Sequence, residues 1–140
     1  MSAAVKQRAR IARVRRLQHG LAASSAAEAV GQLRNLENSN DRLARMRLEL
    51  SASEGATSGA LLACAGELAM RLDAARNGLV PNIEAARSVA AAREAARMEA
   101  RRDQEGAERL EQMAARTAAE MAENRMSGIA PRRTRFDREG

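Results

Sequence analysis

Ser51-Ala52-Ser53-Glu54-Gly55-Ala56-Thr57-Ser58-Gly59 is the strongest helix-breaking cluster between two long, charged runs rich in Ala and Leu. It reads as the bend of a hairpin. To either side the apolar residues are mostly Ala, Leu and Met, which favour helix, and no segment alternates apolar and polar residues over the length of a strand. The expected fold is all-α: a long antiparallel two-helix coiled-coil hairpin with a kink in its second arm. The first arm is placed at residues 3–50, the bend at 51–59 and the second arm at 60–76 and 82–126, followed by a flexible basic tail at 127–140.

The first arm carries an apolar stripe through Ile11, Val14, Leu17 and Leu21, then Val30, Leu33 and Leu36, then Leu43, Met46 and Leu50. Steps of three and four dominate, but the stripe runs through Ala and Ser between Leu21 and Val30 and turns polar at Ser39 and Asn40, so the seam is interrupted twice and is not an ideal zipper. Asn40 either sits in this seam, weakening it while fixing register, or lies on its flank. Thr57 or Ser58 is placed to cap the second arm, whose stripe takes in Leu61, Leu62, Cys64, Leu68 and Leu72. Asn77-Gly78, which suits a left-handed cap, precedes Pro81, which suits a helix start; a kink or short loop is expected over 77–81. Between Val89 and Leu110 the chain is nearly all Ala at its apolar positions, which permits close helix approach with little burial per residue. Glu67 with Arg71, Asp41 with Arg45, and Glu105 with Arg109 are spaced for ion pairs, while Arg93, Arg97 and Arg101 form a like-charged row.

With 140 residues, one Phe, no Trp and no Tyr, the chain lacks the side chains that fill thick cores. The single cysteine, Cys64, cannot form an internal disulfide, and its apolar neighbours favour a buried structural thiol in a reducing compartment. No apolar run is long enough to span a bilayer and the start lacks a secretory core, so a cytoplasmic location is expected. The acid-free, Arg- and Ala-rich residues 1–27 also have the composition of a transit peptide. Charge is concentrated at the ends. Lys6, Arg8, Arg10, Arg13, Arg15 and Arg16 face no acid within residues 1–20, and Arg132, Arg133, Arg135 and Arg138 outnumber Asp137 and Glu139.

Catalytic chemistry finds no components. His19 has no acid near it in sequence, there is no glycine-rich phosphate loop, and the carboxylates are spread among arginines at helical spacing. The reading is a non-enzymatic protein with no cofactor, metal or small-molecule substrate. A basic arm ahead of Leu36, Leu43 and Leu50 imitates a basic zipper, yet the arm and the leucines are not contiguous and no aromatics could stack on bases, so nucleic acid is not the expected partner. A membrane-surface role for the stripe from Ile11 to Leu21 yields to core packing, because the stripe lacks Trp or Phe and runs on into a long helix.

Two stretches carry a family resemblance. Leu48 through Ser58 resembles the Ser/Gly/Thr-containing turn of the FliJ family of flagellar export proteins and of related type III secretion stalks, and Met121-Ala122-Glu123-Asn124-Arg125-Met126 is similar to a stretch late in that family's second helix. The resemblance covers nearly the whole chain. It implies a soluble coiled-coil stalk, similar to the two-helix part of the rotary ATPase γ subunit. Such a stalk binds and stimulates a hexameric export ATPase and contacts an export-gate membrane protein and export chaperones, in the cytoplasm at the inner-membrane export apparatus. By analogy of position it points to Arg8, Arg13, Arg15 and Arg16 near the start and to Glu123, Asn124 and Arg125 near the end as partner-binding residues. The chain departs from the family pattern after Arg125, at Ser127, Gly128 and Pro131. A coiled-coil adaptor and a basic-arm DNA-binding protein are the alternatives.

Overall fold

The computed structural model describes residues 2–52 and 58–136, with side chains through Ser51 and from Ser58 to Gly128; residues 53–57 of the expected bend, Thr57 included, and 137–140 of the expected tail lie outside the described residues. It contains two helices, α1 over Ala3–Ala52 and α2 over Gly59–Phe136, and no strand among the described residues. Both helix starts are capped by serine. The Ser2 hydroxyl accepts from the Val5 amide at 3.3 Å, and the Ser58 hydroxyl accepts from the Leu61 amide at 3.3 Å, each satisfying a donor that a first turn leaves unpaired.

The helices pack against each other as an all-α hairpin in two compact units: residues 22–96, and Met1–Leu21 joined to the chain from Arg97 onward. In the first of these, Arg93 donates to Ser25, Arg87 pairs with Glu37, Arg76 donates to Asn40 and Arg47 pairs with Asp73. Partner numbers fall on α2 as they rise on α1, so the helices are antiparallel there. The α2 seam runs through Ala65, Ala69, Leu72, Arg76, Leu79, Ile83, Ala86 and Ala90, all buried or half-buried. Steps of four and three alternate throughout, the heptad rhythm of a coiled-coil contact. Opposite lie Ala26, Ala29, Leu33, Leu36, Asn40, Leu43, Arg47 and Leu50. Asn40 therefore belongs to the seam, where its side-chain oxygen accepts from Arg76 Nε at 3.5 Å.

Three expectations are corrected. Residues 77–81 form no loop: α2 passes through Asn77, Gly78 and Pro81 without a break, and no described residue has a positive φ. Leu72 and Ile83, buried on either side of this segment, hold one continuous face, and burying such side chains stabilises by about 1.5–3 kcal/mol each. That is enough to offset the helix-interior proline, which withholds one amide donor from the Asn77 carbonyl. The second correction concerns the chain after Met126, which stays helical to Phe136 instead of becoming a tail at 127. The third is Cys64, which is exposed, because the seam enters α2 at Ala65 and Ala69 and leaves Cys64 off its face.

Candidate interaction site

The unit formed by residues 1–21 and the chain from Arg97 has a seam of different chemistry. On α1 its buried or half-buried positions are Val5, Ala9, Ala12, Arg15 and His19; on α2 they include Ala100, Gln104, Ala107, Glu111, Ala114 and Ala118. Ala12 is fully buried and Ala107 is 7% exposed. Small side chains let the backbones come close, and charged side chains then bridge over them. Arg16 donates from Nε to Glu108 Oε1 at 2.8 Å and pairs with Glu111 at 3.4 Å, while Arg15 reaches Asp103 at 3.6 Å. Gln104 also donates to Glu108 Oε1, at 3.0 Å. That bond and the Arg16 bond hold the Glu108 carboxyl below the ordinary glutamate range, and the bond to Glu108 in turn raises Arg16. His19 lies half-buried in this seam, its Nε2 shielded from water with no hydrogen-bond partner among the described residues.

Beyond Val5, the bulky apolar residues of the α1 start are not in this seam. Ile11, Val14, Leu17 and Leu21 are 36%, 51%, 65% and 73% exposed, which overturns the expectation of core packing for this part of the stripe. The reason is phase. Leu50, Leu43 and Leu36 recur every seven residues, and carrying that step backward lands on Ala29, Ala22, Arg15 and Arg8 instead of on the four bulky residues. One helix cannot present both sets to the same partner.

Beside the seam lies an open groove of about 700 Å³, lined by Leu110, Met113, Thr117, Met121 and Arg125 of α2 and by Ala4 and Arg8 of α1. Arg8 and Arg125, far apart in sequence, are thus brought to one apolar groove. The other expected site residues divide by situation. Arg15 and Arg16 are engaged within the chain by α2 carboxylates. Arg13 is exposed, as are Glu123 and Asn124, two residues and one residue before Arg125. Sequence reasoning did not single out Leu110, Met113 and Met121; their shared face was legible in their spacing but was not distinguishable there from core. No group of three metal-ligating side chains occurs among the described residues, and no helix there is long and apolar enough to cross a membrane.

Of the ion pairs expected along α2, Arg71 with Glu67 forms at 2.8 Å, and Glu105 is engaged by Arg101 one turn before it, at 3.1 Å. Arg93 of the like-charged row turns instead to Ser25. Comparison with family models, with curated proteins and with solved structures gives no match for this chain.

Proposed function

We propose that the chain is a non-enzymatic coiled-coil element that works by binding protein partners through its helix faces, and specifically that it serves as a stalk of a flagellar or related type III export apparatus. In that role it binds and stimulates the hexameric export ATPase and contacts the export gate and its chaperones. The observation that supports the reading is the groove at which Arg8 and Arg125 join Leu110, Met113 and Met121. An apolar lining that includes two arginines suits an amphipathic acidic segment of a partner, the apolar side chains supplying burial and the arginines orientation.

The test is ATP hydrolysis by the export ATPase of the same organism, with and without this chain, at physiological salt. Stimulation that is lost on Arg8→Glu with Arg125→Glu, at unchanged helicity by circular dichroism, is the expected result. Absence of both stimulation and binding by the unaltered chain overturns the stalk assignment. Arg15 and Arg16 are poorer probes, since reversing either also opposes Asp103, Glu108 and Glu111 within the fold.

A further inference from the structure

The start of α1 presents a second surface, on the side of the helix turned away from Ala12 and His19. Ile11, Val14, Leu17 and Leu21 follow one another at steps of three, three and four, forming one exposed apolar face about three turns long. Lys6, Arg10 and Arg13 border it. All three are exposed, their side chains make no hydrogen bond or ion pair among the described residues, and residues 1–27 contain no acid. We propose that this face docks on an anionic lipid surface, with the helix lying in the plane of the membrane.

Charge and length select that occupant. A second copy of the chain meeting this face through its own would set cations against cations, with no acid within residues 1–27 of either copy to answer them. A partner helix in a coiled coil needs an apolar seam sustained over about three to four heptads. Here the face turns polar immediately beyond Leu21, through the exposed Ser24, Glu28, Gln32 and Asn35. A short apolar strip rimmed by unpaired cations instead has the pattern of an interfacial helix, which sinks apolar side chains to the headgroup boundary and places its cations among lipid phosphates. The exposure of the stripe removes core packing as its use, and the polar turn beyond Leu21 bounds it within the long helix. With no Trp or Phe in the stripe, its aliphatic side chains are the anchors. This inference stands apart from the proposed export role, since it uses neither Arg8, Arg125 nor the groove.

The full-length chain is floated with vesicles of phosphatidylcholine alone and of phosphatidylcholine with phosphatidylserine. Binding is expected to the second and not the first, and to weaken at least about tenfold on Arg10→Glu with Arg13→Glu. Leu17→Ser with Leu21→Ser should abolish it while leaving helicity intact. Because the chain has no tryptophan, Leu17→Trp adds a single reporter whose emission should shift to the blue on the anionic vesicles. No binding to those vesicles overturns the proposal. So does binding that survives the serine pair, or a reporter emission that stays unshifted, since each leaves only nonspecific charge attraction. If the serine pair binds vesicles as the unaltered chain does but loses stimulation of the export ATPase, the face belongs to a protein and the lipid assignment fails.

Discussion

The unit of residues 22–96 and the unit of Met1–Leu21 with the chain from Arg97 are built from the same two helices and both expose bulky apolar residues, such as Leu62 and Leu17, yet they fill their seams differently. In the first, Leu33, Leu36, Leu43, Leu72, Leu79 and Ile83 sit in the seam, with Leu72 and Ile83 at 6% and 7% exposure. In the second, Ala12 and Ala107 fill the contact while Ile11, Val14, Leu17, Leu21 and Met113 face out. Burial free energy follows apolar area, so the leucine seam supplies the larger share of hydrophobic stabilisation. The alanine seam relies on close approach and bridging ion pairs, and it leaves its bulky residues free for other molecules.

That contrast can be broken most forcefully at Ile83. Ile83→Ala should destabilise the chain by about 2–5 kcal/mol in chemical denaturation, whereas a comparable truncation on the exposed face should not. Pro81→Ala tests the continuity of α2 and should stabilise by up to about 3 kcal/mol, because it restores an interior amide donor and relieves the ring clash. A loop at 77–81 would instead make the change nearly neutral. Ala12→Leu puts a leucine into the alanine seam. It should force the helices apart there and lower stability by about 1–3 kcal/mol, with the loss seen as faster amide exchange in residues 1–21 and 97–118. Leu17→Ser with Leu21→Ser should change stability by less than about 0.5 kcal/mol, since both side chains already face water. A large loss would show that this face packs within the fold.

The smallest effect is read in acid. Glu108 is held below the ordinary glutamate range by Gln104 and Arg16, so its contribution is present above that range and disappears as pH falls through the lowered folded value. Glu108→Gln should therefore lower stability slightly in the neutral region and leave it little changed in strong acid, where Glu108 is protonated in either state, so that the acid limb of the pH–stability profile flattens.

Much of this was legible in the residues. The breaker at 51–59, the helix-forming composition and the heptad of Leu36, Leu43 and Leu50 specify a hairpin, and Ser58 was identifiable as a cap. The facing of residues 11–21 was not read correctly, because bulky side chains at helical spacing form a persuasive stripe even when they are out of phase with the leucines downstream. Alanines give no such signal, and only a backward count of seven from Leu33, through Ala26 and His19 to Ala12, exposes Ala12 as part of the seam. Pro81 misled for a related reason. Its local preference marks a boundary, but whether a helix stops there is settled by the buried face running from Leu72 to Ile83, a tertiary fact. The pairing of Arg8 with Arg125 at one groove depends on the antiparallel register, which spacing within either helix alone does not reveal.

The exposure of Cys64 makes the molecule convenient to interrogate. As the chain's sole thiol, standing in solvent near the start of α2, it accepts one maleimide dye or nitroxide per molecule without any prior mutation. The same accessibility means that air oxidation during purification can join two chains through it. Molecular mass measured without reductant would then report a covalent dimer, not a property of the coiled coil.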